Sequence, residues 1–180
     1  MGIQPGTSAN GYPVLTSTRT GPQPRLRDFV IPTFSRKLPA RDGSCGFLLV
    51  HIAYWFHREI ESLNDGVDDW GYAVRKISGS QSYSNHSSAT ALDLNATKHP
   101  MGVATNKTFS SAEIAKIHKR LKMYDDCVKW GGDYKTRPDA MHFEINQPLA
   151  AVVKKAQGLV KTELGRQICT ANPGLLAIIT

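Results

Sequence analysis

Cysteine is scarce in this chain and follows no pattern. Cys45, Cys127 and Cys169 lie far apart, and no CxxC pair occurs. An odd, scattered count excludes a disulfide framework and a cysteine zinc site, so three core or incidental thiols in a reducing compartment are expected. The first residues, Met1 to Asn10, lack a basic stretch followed by an apolar one. No secretory signal is therefore expected, and the protein is expected in a cytoplasm unless something else carries it out. No apolar run reaches bilayer-spanning length, so membrane insertion is not expected. There is no internal repeat.

Positive charge is present in excess, with Lys and Arg exceeding Asp and Glu by a net +7 over 180 residues. Nucleic acid, a membrane face or an anionic cell-wall polymer would all suit such a balance. No recognised nucleic-acid motif accompanies it, and the basic cluster Lys116–Lys122 reads as a solvated helix face. The length allows one domain with a real core, here expected as a monomer.

The pattern along the chain predicts an α+β fold, in which a small antiparallel sheet carries the chemistry and packs against a long central helix and further helices. Residues 1–43, rich in Gly, Pro, Thr and Arg, read as an extended arm on the domain with little regular structure. Residues 44–160 form the expected core, and 161–180, weakly patterned, a tail or linker. Ser44–Ser62 is apolar on most faces and predicts a buried helix, stopped at Asn64-Asp65-Gly66. Tyr72–Ile77 is a short strand candidate, followed by a polar loop to Ser88. Ala89–Asn95 predicts a strand with Ala91 and Asp93 on one face. Ser110 and Glu113 have capping-box spacing, with a helix expected to about Asp126. Trp130–Asp133 reads as a turn, and Met141–Ile145 as a strand with His142 and Glu144 on one face. Pro148 opens another helix, to about Ala156.

Two polar segments carry the candidate chemistry, Ser84-Asn85-His86 through Asp93 and Asp139 through Glu144. They supply two imidazoles and a carboxylate able to bind one metal, and a second carboxylate three residues before the last imidazole. Zinc hydrolysis needs that inventory: three protein ligands, an open position for water, and a separate base. Taken singly, His86 and Asp93 read as a surface histidine and a capping aspartate, and a lone D-x-x-H is common by chance. Together, with His142 on a strand whose other face is apolar, they point to a metallohydrolase. His51 and His57 read as packed or surface residues, His99 as a turn residue and His118 as solvated.

The segments S-N-H-x-S-x-T-A-x-D-x-N, W-G-G-D-Y and D-x-M-H-F-E-I, in this order between about Val30 and Ile145, resemble the zinc peptidases that include D-alanyl-D-alanine carboxypeptidases and phage L-alanyl-D-glutamate endopeptidases. The likeness is in particular to peptidase domains of endolysins from phages of mycobacteria and related actinobacteria. The resemblance implies one zinc per chain on His86, Asp93 and His142, with Asp139 as general base. It implies that Arg75 binds a substrate carboxylate, an ordinary surface arginine being the alternative. Ser84 and Trp130 are further substrate-binding candidates, although Trp130 fits the core equally well. Glu144 could hold a ligand imidazole or the base, or simply lie on the surface. Relatives commonly read S-G-x-A-x-D, with glycine where this chain has Ala89; a methyl there tightens the turn if the backbone needs positive φ.

The expected activity is cleavage of a peptidoglycan stem-peptide bond, L-alanyl-D-glutamate first and D-alanyl-D-alanine as the alternative. The setting implied is a host cytoplasm until lysis and the cell wall afterwards. Non-enzyme alternatives are a wall-binding module and a basic nucleic-acid-binding domain.

Overall fold

The computed structural model describes residues 6–34, 36–63 and 67–179. The expected stop at Asn64-Asp65-Gly66 falls outside them. The fold is α+β, with two small antiparallel sheets around a central helix.

That helix, α1 (Ser44–Glu59), is buried along nearly its whole length. A helix apolar on most faces must be surrounded, and here the surroundings come from both ends of the chain. On one side lies a hairpin of β1 (Leu26–Val30) and β2 (Lys37–Arg41), paired from Leu26↔Arg41 to Val30↔Lys37. The segment 1–43 is thus more regular than its Gly/Pro content suggested. Phe29, Leu38 and Ala40 are buried from this hairpin, a period-2 pattern too short to stand out among prolines.

On another side lies the sheet that matters most. Its order is β3-β5-β4, with β3 (Ala91–Asp93), β4 (Val128–Trp130) and β5 (His142–Ile145). β5 is central, and its alternation separates two environments. Phe143 and Ile145 are fully buried, and Phe143 meets Phe56 of α1 edge-on at 5.9 Å between ring centroids. His142 and Glu144 point from the other face. The β3–β5 register sets Asp93 opposite His142, Leu92 opposite Phe143 and Ala91 opposite Glu144.

Tyr72–Ile77 is not a strand. Its amides turn instead to the polar segment beside it: Arg75 N–H donates to Ser87 Oγ at 2.9 Å and Ala73 N–H to the His86 carbonyl at 3.3 Å. Only isolated bridges flank it, Trp70 with Asp93 and Lys76 with Tyr83. The helix α2 (Ser111–Leu121) opens with the complete Ser110–Glu113 capping box and ends short of the expected limit, its last residues tightening into a 3-10 turn over Lys122–Tyr124.

Residues 161–179 are not a loose tail. After α3 (Leu149–Leu159), the Thr162 hydroxyl caps α4 (Glu163–Ala171) by accepting from Gly165 N–H at 3.1 Å, and α5 (Leu176–Ile179) follows. Ile168, Leu175 and Ile179 are fully buried in the main core. Leu164, Ile168 and Cys169 of α4 pack into this core at helical spacing, a pattern that a nine-residue helix repeats too briefly to stand out in the sequence. His99 likewise does more than turn the chain: its ring stacks on Phe109 at 3.8 Å and its Nε2 meets Glu61 at 2.9 Å.

Burial of this C-terminal segment makes a direct prediction. Ile168→Ala is expected to cost about 2–5 kcal/mol, as truncations in well-packed cores do. Thermal denaturation should show a melting temperature lowered by roughly 5–15 °C. An unchanged melting temperature would return residues 161–180 to the status of a dispensable tail.

Candidate metal centre

Three elements bring the site together. Asp93 ends β3 and His142 begins β5, as a directly opposed cross-strand pair on one face of the sheet. His86 comes from a 3-10 turn, Asn85–Ser88, in the loop that precedes β3. The Ser84 hydroxyl caps that turn by accepting from His86 N–H at 3.3 Å. Ala89 ends it at φ 56° and ψ 35°, in the left-handed region. The resemblance noted above leads one to expect glycine at this position, and a left-handed conformation with a methyl group costs roughly 1–2 kcal/mol of backbone strain. In return the methyl is buried against Leu15, Leu26 and Tyr72.

The donor atoms form a small triangle. His86 Nε2 lies 3.2 Å from Asp93 Oδ1 and 3.2 Å from His142 Nδ1, and His142 Nδ1 lies 2.9 Å from Asp93 Oδ1. Tetrahedral zinc with ligands at about 2.0–2.1 Å sets its ligand atoms about 3.3 Å apart. The other nitrogen of each imidazole already faces an oxygen. His86 Nδ1 is 2.6 Å from the Gly71 carbonyl, and His142 Nε2 is 3.1 Å from Glu144 Oε2. When those nitrogens carry the protons, Nε2 of His86 and Nδ1 of His142 present lone pairs. Two lone pairs and a carboxylate oxygen converging on one point fit a divalent cation. All three residues are buried, and together they could hold a metal ion.

The same contacts shift the titration of these groups. Burial alone would lower the His142 pKa, but hydrogen bonds to Asp93 and Glu144 outweigh it and raise it to about 10. Burial would raise Asp93 and Glu144, yet hydrogen bonds from the imidazoles bring both below the usual carboxylate range, Glu144 to about 2. Asp139 differs. Its pKa is raised, first by burial and then by the neighbouring Asp93 charge, against the opposing pull of His142. Its Oδ1 is buried without a hydrogen-bond partner among the described residues.

Two glycines allow this crowding. A Cβ on Gly131 would stand 2.5 Å from the Asp139 carbonyl and 3.0 Å from His142 Cβ. A Cβ on Gly71 would stand 2.0 Å from the Pro39 carbonyl, so only glycine can carry the carbonyl that receives His86 Nδ1.

A cleft of about 280 Å³ opens onto the triangle. Arg75, Ser84, His86, Asp139, His142 and Glu144 all line it. The Arg75 guanidinium is half-exposed, 4.0 Å from Asp93 Oδ2. Trp130 does not belong to the cleft. It is buried in the core, stacked on Phe143 at 6.2 Å, with its indole N–H donating to the Ala140 carbonyl at 2.7 Å. As the last residue of β4 it points with Phe143 to the apolar face, which explains why a substrate contact is not available to it.

Sequence reading missed Asn85, Tyr134 and Asn10. Asn85 donates through Nδ2 to Glu144 Oε2, and its Oδ1 accepts from Asn10 N–H at 2.9 Å. Asn10 also donates to Thr90 Oγ1 and to the Ile145 carbonyl, each at 2.8 Å. A chain of hydrogen bonds thus runs from the N-terminal segment through Asn85 and Glu144 to His142. Tyr134 lines the cleft, and its hydroxyl is held neutral by burial and by the charge of Glu144 beside it. The S-N-H triplet put Asn85 next to a ligand, the one hint available; nothing local to Asn10 signals its partner.

Two measurements test the centre. Metal analysis should find about one zinc per chain, lost in His142→Ala, while Glu144→Gln keeps zinc with affinity lowered about 10- to 100-fold. Metal entry must also expel the proton that the raised pKa keeps on His142 at neutral pH. Affinity should therefore strengthen as pH rises from 6 toward about 10. Calorimetric titration in buffers of different ionisation enthalpy should show proton release; release of none would contradict this ligand set.

Among known families, one model, described as D-alanyl-D-alanine carboxypeptidase, matches residues 78–145. No curated protein and no solved structure matches the chain. The matched stretch contains the metal triangle, Asp139 and Glu144, and with the buried His-Asp-His group it supports a peptidase.

Proposed function

We propose that this chain is a zinc-dependent peptidase that cuts the stem peptide of bacterial peptidoglycan at the L-alanyl-D-glutamate bond, as the peptidase unit of a phage endolysin. One observation carries the reading: the two imidazoles of a three-donor group line a cleft together with a carboxylate, Asp139, whose buried Oδ1 has no hydrogen-bond partner among the described residues.

Zinc held by His86, Asp93 and His142 would supply Lewis-acid polarisation of the scissile carbonyl and make a water molecule more acidic. The chain's own groups do the rest. Asp139 takes the proton of the attacking water, and its raised pKa makes that transfer easier near neutrality. As the C–N bond breaks, Asp139 returns the proton to the leaving amine, so one water is consumed and a carboxylate and an amine are formed. Glu144 keeps His142 oriented through its Nε2. Arg75, half-exposed at the cleft, can bind a substrate carboxylate through its planar guanidinium. A basic chain also suits an anionic wall.

The description of the matching family favours a second reading, release of terminal D-alanine. Digestion of purified peptidoglycan followed by mass spectrometry separates the two. New amino-terminal D-glutamate or D-isoglutamine supports the endopeptidase, D-alanine alone supports the carboxypeptidase, and glycan cleavage alone refutes both. Asp139→Asn should retain zinc and lose about a hundred- to ten-thousand-fold in kcat. Turnover near the unmodified rate would move the base assignment to Glu144.

A further inference from the structure

The cleft holds a second guanidinium that the mechanism above leaves without a task. Arg137 lines it together with Arg75, yet the two come from different segments: Arg75 precedes the His86 turn and Arg137 precedes β5. Arg137 makes no hydrogen bond or ion pair with the described residues. Asp93 is held by two imidazoles and Glu144 by His142 and Asn85, and Asp139, the remaining carboxylate of the cleft, makes no ion pair with Arg137 among the described residues.

An exposed arginine is ordinary on a free loop, but the backbone under Arg137 is pinned. The Pro138 carbonyl accepts from Gly102 N–H at 2.7 Å, and Asp139 N–H donates to the Gly131 carbonyl at 2.9 Å. Pro138 also limits the conformations open to Arg137. The guanidinium is thus carried on a rigid edge of the cleft, which lowers the entropy lost when it grips an anion. Ile77 and Met101 line the same cleft with partly exposed apolar side chains, 42% and 36% accessible. Two guanidiniums with an apolar wall suit a ligand that carries two carboxylates on an aliphatic frame.

We infer that Arg137 is a second carboxylate-binding residue, and that the cleft selects an acidic peptide with two free carboxylates, one for Arg75 and one for Arg137. This rests on the peptidase reading for the identity of the peptide. It narrows the substrate class: a D-alanyl-D-alanine dipeptide has one carboxylate, whereas a stem fragment ending L-alanyl-γ-D-glutamyl-L-lysine offers the α-carboxylate of D-glutamate and the terminal carboxylate of the next residue.

The test uses the full chain loaded with zinc and three synthetic probes. N-acetyl-L-alanyl-γ-D-glutamyl-L-lysine has both carboxylates free, and two further peptides have one or the other amidated. Binding is measured by calorimetry in the Asp139→Asn background, so that hydrolysis does not interfere. Adding Arg137→Ala is expected to weaken binding of the dianionic peptide about ten-fold or more. The loss should disappear for only one of the two amidated peptides, the one lacking the carboxylate Arg137 holds. Arg137→Lys should recover part of the affinity, since charge returns without the planar fork. Unchanged affinity for the dianionic peptide, an equal loss on all three peptides, or no binding of the dianionic peptide at all would each overturn the inference. Hydrolysis of the same peptide by the unmodified chain tests the peptidase reading separately. Arg137-dependent binding without cleavage would sink that reading and leave the two-carboxylate site, and cleavage with Arg137-independent binding would do the reverse.

Discussion

Three electron-pair donors held about 3 Å apart repel one another, and most of the fold serves to keep them there. A proton or a metal cation relieves the repulsion, but neither can assemble the triangle from a floppy chain at low entropic cost. The assembly comes from a sheet whose apolar face is locked against α1 by Phe143, so that His142 on the opposite face has nowhere else to go. The same logic explains the close backbone contacts at Gly71 and Gly131. Each lets one strand or turn approach closely enough to aim an imidazole or hold the Asp139 segment.

The candidate metal-binding group was legible because its chemistry is local. His86 and Asp93 lie in one polar segment, and Asp139, His142 and Glu144 in another, with a strand alternation that separates polar from apolar faces. The strand β5, the buried helix α1 and the capped helix α2 were legible for the same reason: each signal fits within one or two turns of chain. What escaped has its cause elsewhere in the sequence. The hairpin β1–β2 exists because α1 needs cover. The helices α4 and α5 carry only a few apolar contacts, each meaningful only once the core they enter is known. Trp130 shows the limit within a motif. W-G-G-D-Y marks a turn beside the cleft, yet the direction of its tryptophan depends on the register of β4 with β5.

The division between site and support does not follow the segment boundaries that composition suggests. Asn10 lies far outside the stretch that matches a known family, yet it donates to Asn85, which in turn steadies Glu144 and, through it, His142. The N-terminal segment also holds the turn before β3, with Leu15 N–H bonded to the Ser87 carbonyl at 2.9 Å and Ser8 to Ser88 at 2.6 Å. Residues rich in glycine and proline thus act here as a clamp on the turn that carries the first histidine.

The pairing of Asp93 with His142 has a further meaning for how the protein can fail. Side chains alternate across a strand, so a slip of β3 against β5 by a single residue would bring Leu92 opposite His142 and turn Asp93 toward the hydrocarbon interior. A slip by two residues would restore the facing but carry Asp93 away from its place opposite His142. Bringing Asp93 up to His142 therefore requires the native register, and a pairing error of any size separates two of the three candidate ligands.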